Sequence, residues 1–129
     1  MTYNNRTSAY QQVEVLSASP AQLVVIVYDY LLVQLCRAAR GIETKDLELR
    51  ADALTRANAA VTELLSGLDI ENGGAIGKQL HGLYMFYLGE LIEIGRKNDL
   101  KLLNRIRTQI SELRSAFAEV ATKPNASAA

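Results

Sequence analysis

Between Leu23 and Cys36, only Asp29 and Gln34 interrupt a run of twelve apolar side chains. Immediately before it stand Ser19, Pro20 and Gln22. This is a helix start: Ser19 as N-cap, Pro20 at the first helical position, and Gln22 placed to close a capping box. At about 100° per residue, Gln22 and Asp29 fall almost on one line, and apolar side chains cover nearly all the remaining circumference. A helix apolar on so many sides must be enclosed by protein or by lipid.

Lipid is the poorer fit. A spanning helix needs roughly 20 apolar residues. This run is shorter, and Asp29 near its middle costs roughly 2.5–3.5 kcal/mol on insertion scales. The expectation is therefore a hub helix in a soluble bundle, without membrane insertion. With 129 residues, the chain is long enough for one domain with its own core. Fourteen basic residues balance fourteen acidic ones, so no global field draws the chain to nucleic acid or to an anionic membrane. Cys36 is the single cysteine. That excludes an internal disulfide, and its place on the apolar helix suggests a small buried hydrophobe. No basic-then-apolar secretory segment opens the sequence, so a cytoplasmic setting is expected.

Residues 1–18 are polar and mixed, and are expected to be an N-terminal arm, short helix or cover segment. The first bundle helix is expected from about Pro20 to Arg40, with Gly41 as its terminator. A second begins near Asp46, with Thr44 or Asp46 as cap. Leu47, Leu54, Val61 and Leu68 recur in it every seven residues, beside Ala57, Leu64 and Leu65. Asp69–Gly74 carries an Asn-Gly-Gly turn signal. The third helix runs from about Ala75 to Lys97, with Ile76, Leu80, Leu83, Tyr84, Tyr87, Leu88, Leu91 and Ile92 on its apolar side. Gly82 and Gly89 sit seven apart on one face of it. The first reading of that pair is close helix–helix approach, and the second is the floor of a shallow groove. Asn98 and Asp99 restart the chain as a fourth helix, with a stripe of Leu103, Ile106, Ile110, Leu113, Phe117 and Val120. Pro124 ends it, and 123–129 reads as a disordered tail. The expected fold is all-α: an antiparallel four-helix bundle over 19–122.

Residues for chemistry are sparse. His81 is the only histidine, so one chain can assemble neither a histidine cluster nor a Ser-His-Asp set. Glu90 and Glu93 lack the histidine that marks dinuclear iron bundles. Gly73-Gly74 lacks the Lys-Ser/Thr of a phosphate loop. The basic residues of the fourth helix alternate with acids and lack interleaved aromatics, which reads as a solvated face rather than a nucleic-acid stripe. Neither catalysis nor a cofactor or metal is expected. Surplus apolar surface is left over, on the first helix and around Tyr84, Met85, Phe86 and Tyr87. Either helices surround the first helix, or an apolar groove stays open for a partner chain.

The residues Ala9, Tyr10, Val15 or Leu16, Ser17–Pro20, Leu23, Tyr28 and Asp29, followed by Leu68, Asp69, Glu71, Gly73, Gly74, Ile76, Leu80, Leu83 and Tyr84, form an ordered set. With Arg96–Leu103 and Leu113–Phe117, they resemble the flagellar secretion chaperone family FliS over roughly Ala9 to Val120. The chain departs from the family pattern at five positions. Tyr30 replaces a Gly, Ala75 a common acidic residue, Gly77 an Ala, Met85 an Asp and Phe117 a Trp. The resemblance implies a cytoplasmic chaperone that binds the disordered C-terminal segment of flagellin before export and prevents its premature polymerisation. It implies Tyr10 as a client contact. Tyr28, Tyr84 and Tyr87 are further partner-binding candidates from aromatic content and face, each equally suited to the core. A flagellar export-gate component or an anti-sigma factor is left open as a further partner. The alternative reading is a structural or regulatory bundle that uses its surplus apolar face for homodimerisation, as a monomer or weak dimer without client.

Overall fold

Ser19 caps the first helix as its sequence requires. Its hydroxyl accepts from the Gln22 backbone N–H at 3.2 Å, and the Gln22 side chain accepts from the Ser19 N–H at 2.8 Å. The computed structural model describes residues 19–68 and 73–122. They form four helices: α1 (Pro20–Glu43), α2 (Leu47–Ser66), α3 (Gly74–Lys97) and α4 (Leu100–Thr122). No strand occurs among the described residues. The expected arm at 1–18, the tail at 123–129 and residues 69–72 of the turn lie outside them.

The short connections have local causes. Thr44 closes α1 by donating from its backbone N–H and its hydroxyl to the Arg40 carbonyl. Asp46 caps α2, accepting from the Leu49 N–H at 3.1 Å. Asn98 ends α3 in the left-handed conformation, with φ 54°, and Asp99 accepts from the Leu102 N–H at the start of α4. Turns this tight make successive helices antiparallel neighbours. α1 packs on α2 and α4, and α3 closes the ring between α2 and α4, meeting α4 less extensively than α2. The core is a ladder of Tyr28, Leu31, Leu35 and Ala38 from α1, Ala53, Ala57 and Val61 from α2, Tyr84, Tyr87, Leu91 and Ile94 from α3, and Leu103, Ile106 and Ile110 from α4.

Several expectations need correction. Gly41 does not terminate α1, which runs one turn further. It is buried where α1 crosses the start of α2, and a Cβ there would stand 2.7 Å from the Arg50 backbone nitrogen. The glycine exists for that crossing. Leu47 is 66% exposed, because a seven-residue repeat on a 3.6-residue helix drifts by about 20° per heptad and the stripe leaves the core at its end. On α3 the buried stripe passes through Ile94, while Ile76 and Ile92 face solvent. Cys36 is exposed, one turn from Val33 and Arg40 on the outer face of α1. Close helix approach at Gly82 and Gly89 is also overturned: both are exposed, with nothing among the described residues within 4 Å of an added Cβ.

α1 is long and apolar enough to cross a membrane by length and composition, with a mean hydropathy of 1.4 in its most apolar window. In the structure it packs on two helices, and its one charged interruption, Asp29, pairs with Arg114 of α4 through two hydrogen bonds of 2.7 and 3.2 Å. The bundle core takes up the side of the run that carries Tyr28, Leu31 and Leu35, while Tyr30, Val33 and Cys36 face outward, so the enclosure expected on every side is only partly met.

Candidate partner-binding groove

The N-terminal half of α1 does not complete its burial. From Leu23 to Val27 every residue is half-buried, whereas full burial begins at Tyr28. The uncovered side opens into a groove of about 550 Å³ at the end of the bundle where α1 and α3 begin and α2 and α4 finish. Leu23, Val24 and Val27 form one wall, Leu64 and Leu68 a second, and Leu80 with Phe117 a third. Glu63 stands at its rim. The lining is almost wholly apolar, so water in the groove has few hydrogen-bond partners and an apolar segment gains by displacing it.

Beneath this groove lies an aromatic cluster. Tyr28 and Tyr84 share a hydrogen bond of 2.5 Å between their hydroxyls, and the Phe117 ring rests 5.5 Å from that of Tyr28. Burial raises the pKa of both Tyr28 and Tyr84, so the pair stays neutral and hydrogen-bonded at ordinary pH. Tyr87, one turn along, donates to Gln109 Oε1 at 3.1 Å. Its pKa is pushed up to about 12 by burial, with smaller contributions from Tyr84 and Glu112.

The three described tyrosine candidates thus share one region but not one role. Tyr28, Tyr84 and Tyr87 are all at least 98% buried, and Tyr84 alone reaches the groove wall. Tyr28 and Tyr87 lie in the core beneath it, and the Tyr28–Tyr84 and Tyr87–Gln109 hydrogen bonds tie α1, α3 and α4 together. Tyr10 lies outside the described residues. Sequence reasoning missed the aliphatic wall of Leu23, Val24, Val27, Leu64 and Leu68, because nothing in an apolar run marks which members stay uncovered. It singled out Phe117 as a departure without seeing that the ring would line the groove. It likewise matched Asp29 and Arg114 to separate motifs without pairing them. Of the other departures, Tyr30 and Met85 are exposed, Ala75 is exposed, and Gly77 is buried.

A helical bundle with an open apolar groove at one end belongs to the class of helical binding proteins, in which surface shape rather than a reacting group does the work. The comparisons narrow that class. The family described as flagellar protein FliS matches residues 3–124. The chain is similar to the flagellar secretion chaperone FliS of Salmonella typhimurium, at 32% identity over 120 residues covering 89% of each chain. It is 30% identical to that of Campylobacter jejuni, over 93% of this chain and 94% of the other. It is 28% identical to that of Bacillus subtilis, over 92% and 88%. The chain belongs to the FliS family of flagellar secretion chaperones, which is a chaperone family and not an enzyme family.

Proposed function

We propose that this protein binds the disordered C-terminal segment of flagellin in the cytoplasm, keeps it from polymerising, and releases it to the flagellar export apparatus. The observation that carries this reading is the apolar groove between Leu23, Val27, Leu64 and Phe117, open among the described residues. Apolar helix-forming segments of a client fit such a groove, because each buries a stripe that would otherwise pair with another flagellin copy. A disordered client loses conformational entropy on docking. That cost keeps affinity below what the buried area alone implies, so the complex remains releasable. Tyr10, from the segment preceding α1, is the proposed additional client contact. Tyr84 takes part as a wall of the groove, and Tyr28 and Tyr87 support it from the core beneath.

The test is calorimetric titration with a peptide of about 40 residues from the C-terminus of the host's own flagellin, a length suited to the area such segments bury. Enthalpically driven binding with a negative heat-capacity change is the expected result. A folded protein that gives no heat with this peptide overturns the assignment of flagellin as client.

A further inference from the structure

One wall of the groove stands on a lightly anchored part of the bundle. The buried residues of α4 are Leu103, Ile106 and Ile110. From 111 to 122 the helix continues without a fully buried residue, and Leu113 and Phe117 are only half-buried against the core. Among the described residues, Phe117 is nevertheless what α4 contributes to the groove lining. Roughly three turns of helix that bury no side chain completely can tilt at little cost in core packing.

The seam with α1 is what holds this segment. Arg114 donates to both carboxylate oxygens of Asp29, from Nε at 2.7 Å and from Nη2 at 3.2 Å. Three residues further along α4, the Phe117 ring rests on that of Tyr28, with centroids 5.5 Å apart. Two adjacent residues of α1 thus grip two residues of α4 that lie one turn apart. Among the described residues, the Arg114 bonds are the only side-chain hydrogen bonds from 111–122 to another helix. A guanidinium that engages a carboxylate through two donors fixes direction as well as distance, which a ring contact alone does not. Both partners are partly exposed, 38% and 50%, so the pair adds little to the stability of the whole bundle. Its effect is local: it sets where Phe117 stands relative to Val24 and Val27 across the groove.

We propose that Asp29 and Arg114 are positioning residues of the client groove. Their ion pair holds the C-terminal half of α4 against α1 and keeps Phe117 in place as a wall on which an apolar client segment packs. This role rests on the client reading given above. With the pair broken, the helix end carries Phe117 away from Tyr28, and the client loses packing surface on one side.

Hydrogen exchange and the flagellin-peptide titration test this on the full chain, with circular dichroism confirming that each variant is folded. Asp29→Ala and Arg114→Ala should each speed amide exchange in 111–122 at least about fivefold while leaving α2 and α3 unchanged. Each should also weaken peptide binding at least about fivefold. The double variant Asp29→Arg with Arg114→Asp rebuilds the pair with its charges exchanged and should restore both readouts, which it could not do for residues that touch the client directly. Unchanged exchange in 111–122 in the alanine variants overturns the proposal, as does a double variant that restores neither readout. Faster exchange with unaltered peptide affinity, in a protein whose wild type binds, overturns the role in the groove. A wild type that gives no heat with the peptide overturns the client reading instead. The exchange rates of the four proteins then still decide whether the pair holds the end of α4.

Discussion

The hydroxyls of Tyr28 and Tyr84 meet at 2.5 Å across the bundle, joining two helices whose residues are 56 positions apart in the chain. Each hydroxyl is the other's answer to burial. Removing one by Tyr28→Phe or Tyr84→Phe leaves the remaining oxygen without its partner and should cost about 1–3 kcal/mol. The double substitution should cost less than the sum of the two, because no orphaned hydroxyl remains. Denaturant unfolding of the four members of this cycle measures the coupling directly.

The same tyrosines set the behaviour of the protein in alkali. Tyr87 has a pKa raised from 10.0 to about 12, and Tyr28 and Tyr84 are also raised, all chiefly by burial. A group whose folded pKa exceeds its unfolded value contributes stability that is complete below the unfolded pKa. That stability is lost as pH rises through the folded one. Melting temperature should therefore hold level up to about pH 10 and fall steadily toward pH 12. Tyrosinate absorbance from the three buried rings should appear together with unfolding.

Gly41 and the pair Gly82 and Gly89 should respond to alanine in opposite directions. At Gly41 the new Cβ meets Arg50 backbone atoms at 2.7 and 2.9 Å, which must shift, so Gly41→Ala should destabilise by about 1–3 kcal/mol. At Gly82 or Gly89 the Cβ meets nothing, and alanine should stabilise by about 0.5–1 kcal/mol through helix propensity. Chemical denaturation of the dilute protein separates the two cases.

Client binding and stability should also separate. Tyr10→Ala is expected to leave thermal unfolding nearly unchanged and to weaken the flagellin-peptide titration. Leu23→Glu places a charge on the groove wall and should lower affinity by at least about tenfold. Unaltered affinity in the Tyr10 variant removes that residue from the site, and unaltered affinity in the Leu23 variant removes the groove.

Much of this protein was legible before any coordinate. Ser19, Asp46, Asn98 and Asp99 announce helix ends because a cap is made with atoms three or four residues away, and local sequence contains the whole interaction. The buried stripes of α2 and α4 were readable from spacing except at their ends, where Leu47 and Val120 face solvent, whereas the enclosure expected of α1 is only partial, with Tyr30, Val33 and Cys36 exposed. Ordered motifs along the chain likewise pointed to the FliS family without any knowledge of how they pack. The tertiary structure decided which apolar residues are covered and by what. Cys36 and Ile92 look like core from composition yet face outward. Gly82 and Gly89 look like contact points, yet an added Cβ at either would touch nothing among the described residues. Tyr28, Tyr84 and Tyr87 suit partner contact and core equally by sequence, and the structure buries all three. Burial is a relation between helices, set by residues such as Tyr28 and Tyr84 or Asp29 and Arg114 that are distant in sequence and meet only on folding. A helix's own pattern gives its periodicity, but the neighbour on each side decides which face becomes core and which becomes groove.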